Sequence, residues 1–298
     1  MLESSAPILI VVGPTASGKT DLSLELARRL DGEVVSADSV QIYRYFDIGS
    51  GKPSTEEREN VPYHLVDCVE PDEPMDAARF AELATGKLNE ILSRGRRPIV
   101  AGGTFLWVRA LIYGLSPAPP ADPELRAAHK ERAEREGRGA LHRDLSRVDP
   151  VSAARLKEND LLRVSRALEV FELTGVPLSE WHAGHGFRTP RFPARLIGVR
   201  RERDELDGRI RTRIEAMLDQ GWLDEVHSLL ARGFGESRAM ASVGYSQVAA
   251  ALQSGAPIDR SALVDSVFRA TRVFARRQRT WLRDQDVRWV EQAAEALT

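Results

Sequence analysis

Three features are scarce in this 298-residue sequence: cysteine, long hydrophobic runs and an excess of charge of one sign. The single cysteine, Cys68, excludes a disulfide framework and any zinc site built from several cysteines. The longest aliphatic run, Ile8–Val12, is far too short to span a bilayer. Residues 1–5 lack the charged and apolar regions of a signal peptide, so we expect a cytoplasmic protein with no membrane partner.

The net charge of −2 hides a gradient along the chain. Residues 1–100 carry 11 basic and 17 acidic side chains, residues 101–187 carry 12 of each, and residues 188–298 carry 19 basic and 15 acidic ones. Between Arg269 and Arg283 there are six arginines and no acidic residue. This basic segment is a candidate nucleic-acid contact, although its arginines could instead pair with the acidic N-terminal third.

Short apolar runs alternate with helical patterns in the N-terminal third, which favours βαβ units and a parallel sheet. We predict helices at about residues 19–30 and 76–93, and strands at residues 8–12, 33–36, 63–66, 98–101 and 195–199. Four prolines within residues 116–123 are typical of a linker, and charged helical sequence follows them. We therefore expect a core of residues 1–116 and 191–298, with a helical insertion at residues 117–190.

A complete phosphate-binding motif follows the first predicted strand. Its residues are Gly13-Pro14-Thr15-Ala16-Ser17-Gly18-Lys19-Thr20, which match G-x-x-x-x-G-K-[ST]. The glycines let backbone N–H groups turn inward, and the helix N-terminus favours anionic oxygens. Lys19 would hold the phosphates and the Thr20 hydroxyl would ligate Mg²⁺. The motif is typical of proteins that bind ATP or another nucleotide, and we predict that a di- or triphosphate binds here.

Together with the alternating strands and helices and the linker, this motif predicts an α/β chain with a P-loop NTPase-like parallel-sheet core, an inserted helical domain and a helical C-terminal part. No acidic residue follows the strand at residues 98–101, where a P-loop ATPase or GTPase usually has one. Asp67 is a poor substitute. Because ligands bind at the carboxyl ends of parallel strands, Asp38 and Thr104 would face a bound diphosphate. Asp38 could equally be a turn or helix-capping residue. For Thr104 a helix cap is the stronger alternative, because an apolar helix-like run follows it.

Beyond the P-loop, the sequence resembles the tRNA dimethylallyltransferases (isopentenyl-pyrophosphate transferases) across nearly its whole length. The resemblance rests on Asp38-Ser39-Val40-Gln41-Ile42-Tyr43, Asp47-Ile48-Gly49, Lys52-Pro53, Gly102-Gly103-Thr104, Asn159-Asp160 with Arg163 and Arg166, Val243-Gly244-Tyr245, and Thr271 with residues 276–283. Two departures are Ser50-Gly51, where Thr-Ala is commoner, and Trp107, where Tyr is usual. One cysteine excludes the zinc finger of many eukaryotic members, so the chain is similar to the short bacterial type.

The resemblance implies transfer of a dimethylallyl group from dimethylallyl diphosphate to N6 of the adenosine at position 37, beside the anticodon, in tRNAs that read codons beginning with U. The products would be N6-(dimethylallyl)adenosine and diphosphate. Alkylating the amine requires loss of a proton, so Asp38 is the candidate general base. The resemblance places Thr104 near the acceptor amine. Arg209 and Arg213, one helical turn apart, are candidates for contacting the diphosphate or for a solvated helix face.

The resemblance further implies two substrates, a tRNA anticodon stem-loop and dimethylallyl diphosphate, with Mg²⁺ as cofactor; we expect a monomer. The residues expected to contact tRNA are Asp38, Ser39, Val40, Gln41, Thr104, Arg126, Leu162, Arg163, Val164, Ser165, Arg166, Gly244 and Tyr245. Two other function classes fit the P-loop. One is a small-molecule or nucleotide kinase that uses the insertion as a lid, and the other is a non-catalytic, nucleotide-dependent RNA-binding switch that would tolerate loss of Asp38.

Overall fold

The structure is a computed structural model that describes residues 6–291 and 293–296. Contacts between residues divide the chain into two compact units. The first combines the residues up to Ile112 with those from Pro190 onward, and the second is Tyr113–Thr189. The sequence analysis placed the helical insertion at residues 117–190.

Parallel strands form the sheet of the first unit. They are β1 (Ile8–Val12), β2 (Gly32–Ser36), β3 (Tyr63–His64), β4 (Arg97–Gly102), β5 (Ala194–Val199) and β6 (Val287–Val290). Their order across the sheet is β3-β2-β4-β1-β5-β6, and every neighbouring pair is parallel. β1 and β2 are buried along their whole length, as expected for central strands covered on both faces. The predicted α/β class and parallel sheet are confirmed; β6 was not predicted.

Helices cover the sheet and build the second unit. In chain order they are α1 (Lys19–Arg29), α2 (Thr55–Asn60), α3 (Ala77–Ser93), α4 (Phe105–Tyr113), α5 (Pro123–Glu136), α6 (Arg138–Val148), α7 (Pro150–Arg155), α8 (Leu161–Thr174), α9 (Leu178–His185), α10 (Arg203–Asp219), α11 (Trp222–Ala231), α12 (Tyr245–Gln253), α13 (Arg260–Arg283) and α14 (Ala293–Ala296). In the first unit, Leu22 and Leu26 of α1 pack with Leu9, Val11 and Ile99 of the sheet.

The second unit has its own small core. Leu141 and Leu145 of α6 pack there with Val164, Ala167 and Leu168 of α8. Aspartates begin several of its helices: the Asp122, Asp149 and Asp160 carboxylates each accept a backbone N–H from the first turn that follows. Such caps satisfy N–H groups that a helix itself cannot pair.

The parallel register brings three strand ends to one edge of the sheet. Val12 of β1 lies opposite Gly102 of β4, and Ser36 of β2 lies opposite Ala101. A side chain at Gly102 would place its Cβ 2.2 Å from the carbonyl oxygen of Ala37, so only glycine permits this approach. The segments that follow β1, β2 and β4 therefore meet where parallel sheets bind ligands.

Within residues 6–291 and 293–296, no helix is both long enough and apolar enough to cross a membrane.

Candidate active site

The phosphate loop, residues 13–20, connects β1 to α1. Its turn passes through left-handed backbone at Ala16 (φ 62°) and Gly18 (φ 96°). The Ser17 hydroxyl is buried and has no hydrogen-bond partner among the residues that the structure describes. A buried hydroxyl without a partner is costly, and an anionic oxygen held in the loop would satisfy it. The loop thus has the geometry of an anion cradle at a helix N-terminus.

Lys19 lies across this loop, where its Nζ donates to the Pro14 carbonyl oxygen at 2.8 Å. Burial lowers the pKa of Lys19 to about 8, with the negative charge of Asp38 opposing the shift and the positive charge of Arg213 adding to it. Asp38 and Arg213 also line one cavity together with Thr15 and Ala16 of this loop. Lys19, Asp38 and Arg213 come from α1, the segment after β2, and α10.

Asp38 follows β2 and uses one carboxylate oxygen for structure. Its Oδ1 accepts hydrogen bonds from Val40 N (2.9 Å) and Gln41 N (3.2 Å), which fixes a turn. Among the described residues, no group donates a hydrogen bond to Oδ2, and the side chain lines a cavity. The turn-stabilising and proton-accepting functions can therefore coexist in one carboxylate.

Thr104 links the end of β4 to the segment after β2. Its Oγ1 accepts a hydrogen bond from Ser39 N (3.0 Å) and donates one to Ser39 Oγ (3.2 Å). Its carbonyl oxygen accepts from Trp107 N and Val108 N, so the residue also begins α4. Thr104 therefore stands at the start of α4, while its hydroxyl is bonded to Ser39, the residue next to the candidate base.

A cavity of about 360 Å³ opens at this edge of the sheet. Its polar lining residues include Asp38, Thr104, Arg213 and Gln278, together with Thr15 of the phosphate loop. Its apolar lining residues include Ile210, Ile214, Met217, Trp222, Val243, Val267 and Phe274. An amphipathic molecule with a charged head and a short hydrocarbon part matches this division.

Three arginines contact the phosphate loop or line the cavity. Arg209 Nε donates to Ala16 O at 2.8 Å. Arg213 lines the cavity and donates a hydrogen bond to Ser50 O at 3.3 Å. Burial lowers the pKa of Arg213, and the negative charges of Asp38 and Asp21 partly oppose this shift.

The third is Arg201, whose Nε donates to Ser17 O at 3.2 Å. Sequence reasoning missed Arg201, although its place just after β5 was a usable signal. Of the two predicted arginines, Arg209 contacts the loop, whereas Arg213 lines the cavity that Thr15 and Ala16 also line.

Gln278 is a second residue whose position sequence reasoning missed. Its Oε1 accepts a hydrogen bond from Thr15 N (2.8 Å), and its Nε2 donates to Gly103 O (3.0 Å). The amide joins the phosphate loop to the segment containing Thr104 and is 5% exposed. In the sequence, the only indication of a special position was that a glutamine stands among arginines in residues 276–283.

The remaining first-unit residues predicted to contact tRNA lie around the cavity. Ser39, Val40 and Gly244 line it. Gln41 is buried; its Nε2 donates to Gly51 O at 3.0 Å. Tyr245 also lines the cavity but is fully buried, and its hydroxyl donates to Glu225 at 2.6 Å.

Two of the predicted second-unit arginines are held by a buried carboxylate. Arg126 Nε and Arg166 Nη1 lie 3.0 and 2.6 Å from the Glu169 oxygens, and the Glu169 side chain is 0% exposed. Burial opposes ionisation of Glu169, but hydrogen bonds from Arg126, Arg166 and Asp122 N outweigh it and lower the pKa. These two arginines therefore already have an internal partner.

The other predicted residues of α8 divide into buried and exposed ones. Val164 is fully buried and Ser165 is 7% exposed, with its hydroxyl against His129 Nδ1 at 2.9 Å. Leu162 is 73% exposed, and the Arg163 side chain is equally exposed, 3.2 Å from Asp160. Leu162 and Arg163 are the members of this set that present their side chains to solvent.

The basic segment at residues 269–283 forms the second half of α13. Arg272 pairs with Asp207 at 3.0 Å, and Arg283 lies 3.6 Å from Asp284. The other four arginines are exposed and, within the part of the chain that the structure describes, form no ion pair: Arg269, Arg276, Arg277 and Arg279. No arginine of this segment pairs with a described residue of the acidic N-terminal third, which was the alternative explanation.

Comparison with known proteins gives consistent results. The family model described as IPP transferase matches residues 41–285. A tRNA dimethylallyltransferase of Sorangium cellulosum is 61% identical over 283 residues, covering 95% of this chain and 90% of the relative. One of Anaeromyxobacter dehalogenans is 49% identical over 284 residues, covering 95% and 94%.

Solved structures agree with these relatives. The crystal structure of a tRNA isopentenylpyrophosphate transferase from Bacillus halodurans matches with a TM-score of 0.69 at 37% identity, covering 95% of this chain and 89% of that one. A eukaryotic dimethylallyltransferase described as acting on tRNA matches with a TM-score of 0.78 at 26% identity, covering 93% and 70%.

Proposed function

The chain belongs to the IPP transferase family, and we propose that it is the enzyme that transfers a dimethylallyl group from dimethylallyl diphosphate to N6 of the adenosine at position 37 of tRNA. The acceptor tRNAs would be those reading codons that begin with U, and the reaction would take place in the cytoplasm. The observation that carries the proposal is a cavity whose lining joins Thr15 and Ala16 of the phosphate loop, the Asp38 carboxylate and Thr104 with a set of apolar side chains.

The leaving group supports this assignment. When the bond between carbon and oxygen breaks, negative charge grows on the departing diphosphate. The N–H groups of the phosphate loop and the positive charges of Lys19 and Arg213 would stabilise that charge. The unpartnered Ser17 hydroxyl would gain an acceptor when the diphosphate binds.

Asp38 supplies the base that the acceptor amine needs. As the new bond between N6 and carbon forms, the amine must lose a proton, and Asp38 Oδ2 is the carboxylate oxygen that carries no hydrogen bond from a described residue. Thr104, fixed against Ser39, would position the acceptor amine beside it.

The residues present also fit Mg²⁺. Among the described residues, no cluster of three or more His, Cys, Asp or Glu could hold a metal. Magnesium bound with phosphates does not need one, because it keeps several waters and takes only one or two protein oxygens. The Thr20 hydroxyl at the start of α1 would be the protein ligand. When bound, the ion would neutralise charge on the diphosphate.

Exposed basic residues support tRNA as the acceptor. Arg163 on α8, and Arg269, Arg276, Arg277 and Arg279 on α13, would contact backbone phosphates. An unpaired anticodon loop lets the acceptor base leave its stack at low cost. We propose that one copy of the chain carries out the reaction.

The test distinguishes transfer of the dimethylallyl group to RNA from transfer of a phosphoryl group from ATP. The purified protein is incubated with labelled dimethylallyl diphosphate and unmodified tRNA, and in parallel with ATP labelled at its γ-phosphate. Label in the RNA without ATP consumption supports the proposal. A kinase would consume ATP and leave the RNA unlabelled, and a binding switch would do neither.

A further inference from the structure

The segment of residues 47–52, called here the motif loop, has no part in the proposed function so far. It contains Asp47-Ile48-Gly49 and Lys52, which the sequence analysis identified as motif residues. In the structure one carboxylate from α11, that of Glu225, holds its first half. Glu225 Oε2 accepts from Asp47 N (3.0 Å) and Ile48 N (2.6 Å), and Oε1 accepts from Gly49 N (3.3 Å).

Tyr245 and Trp222 complete this attachment. The Tyr245 hydroxyl donates to Glu225 Oε1 at 2.6 Å and accepts from Ser50 N at 3.2 Å. At Gly49, an added Cβ would lie 2.0 Å from Trp222 Nε1, so the loop reaches α11 only because this residue has no side chain. Four consecutive backbone N–H groups are thereby satisfied by two side chains.

The second half of the motif loop holds Arg213. Ser50 O accepts from Arg213 Nη2 at 3.3 Å. Gly51 has a left-handed backbone (φ 60°), and an added Cβ would lie 1.9 Å from the same Nη2 atom. The guanidinium therefore occupies the space above Gly51. This is also the position at which the chain departs from the commoner Thr-Ala sequence.

We infer that Glu225 is a positioning residue for Arg213: by fixing the motif loop, it places Ser50 O and the space over Gly51 so that the guanidinium stays in the cavity that Thr15 and Ala16 of the phosphate loop also line. The inference rests on the proposed function in one respect, since it takes Arg213 as the arginine that contacts the diphosphate. An arginine held in place before binding loses less side-chain freedom when the ligand arrives.

The experiment measures binding of inorganic pyrophosphate with Mg²⁺ by calorimetry, without tRNA or a dimethylallyl group. Glu225→Gln keeps the shape of the side chain but turns one acceptor into an NH₂ group facing backbone N–H groups. We expect five- to tenfold weaker binding. Asp224→Asn, an equal charge change on the exposed neighbour, should stay within twofold.

A second background separates positioning from general damage. In Arg213→Ala protein, adding Glu225→Gln should change the affinity less than twofold, because the arginine through which Glu225 acts is gone. An equal loss in both backgrounds, or no loss in the single variant, overturns the inference.

Gly51→Ala tests the contact between the motif loop and Arg213 directly, because the added methyl group would displace the guanidinium. This variant replaces Glu225→Gln in the experiment if the latter does not fold. It should weaken pyrophosphate binding at least fivefold. Gly255→Ala is the matched control, because Gly255 has a similar φ of 69° and, apart from its chain neighbours, no atom of the described residues lies within 4 Å of its Cβ position. Wild-type binding by Gly51→Ala, or equal loss in both variants, contradicts the inference. Failure of tRNA prenylation would leave these binding results standing and would contradict only the proposed function.

Discussion

Thr104 Oγ1 accepts a hydrogen bond from Ser39 N at 3.0 Å, and this bond joins the chain after β4 to the chain after β2. Because Asp38 directly precedes Ser39, the same bond fixes the relation between the proposed base and Thr104. The two residues are 66 positions apart in the sequence. The parallel register of β2 and β4 is what brings them together.

Replacing Thr104 should therefore affect turnover through the hydroxyl. Thr104→Val keeps the shape but leaves Ser39 N without its acceptor, which costs about 1–3 kcal/mol. We expect kcat to fall about 10- to 100-fold. Thr104→Ser keeps the hydroxyl and should stay within about threefold. The measurement is the initial rate of each variant at saturating substrates. If the valine variant is as active as the serine variant, the Thr104 hydroxyl is not needed for turnover and the prediction is wrong.

Asp38→Asn should separate catalysis from binding. The amide oxygen can still accept from Val40 N and Gln41 N, so the turn is preserved, but the side chain can no longer take a proton. Turnover should fall by about 10²–10⁴, the usual range for a general base. Affinity for tRNA, measured by filter binding, should stay within several-fold. Near-wild-type turnover would remove Asp38 as the base.

Diphosphate binding should weaken above pH 8. The pKa of Lys19 is lowered to about 8, so the ammonium that attracts the diphosphate is charged below that pH and lost above it. We expect pyrophosphate affinity to fall about tenfold between pH 7 and pH 9.5, beyond any change in Lys19→Arg, whose side chain stays charged throughout. Calorimetric titrations of both proteins provide the comparison. If pyrophosphate affinity falls equally with pH in both proteins, Lys19 is not the group whose titration weakens binding.

Arg163 and Arg166, three residues apart on α8, should respond in different assays. Arg163 is exposed, so Arg163→Ala should weaken tRNA binding without changing the melting temperature. The slope of the logarithm of the tRNA binding constant against the logarithm of the salt concentration should become shallower by about one. Arg166→Ala leaves the buried Glu169 with Arg126 as its remaining arginine and should cost about 2 kcal/mol of stability. Thermal denaturation and salt-dependent binding distinguish the two, and an unchanged slope for Arg163→Ala would count against that contact.

Local patterns in the sequence were enough to find the strands that carry the site. The apolar run of β1 was predicted with the bounds that the structure has, and β2, β4 and β5 to within a residue at each end. Strand β6 was missed because Val287-Arg288-Trp289-Val290 is short and interrupted by a charge, as edge strands often are.

Contacts between distant residues could not be predicted in the same way. Gln278 reaches Thr15 across 263 positions, Arg201 reaches Ser17 across 184 and Glu225 reaches Asp47 across 178. No local pattern encodes such pairs.

Charge counting has a similar limit. Arg126, Arg163 and Arg166 are indistinguishable by charge, and only the structure shows that buried Glu169 holds two of them. The arginine that remains exposed, Arg163, is the one whose phosphate contact can be tested without disturbing the core of the second unit.

The central claim, dimethylallyl transfer to one tRNA adenosine, is tested most directly by identifying the product. Unmodified tRNA that reads a UNN codon is incubated with the protein, Mg²⁺ and dimethylallyl diphosphate, then digested with nucleases and analysed by mass spectrometry. The account predicts N6-(dimethylallyl)adenosine in the fragment containing position 37, with one pyrophosphate released per modified nucleoside. Pyrophosphate release without modified RNA, or modification elsewhere in the tRNA, would contradict it.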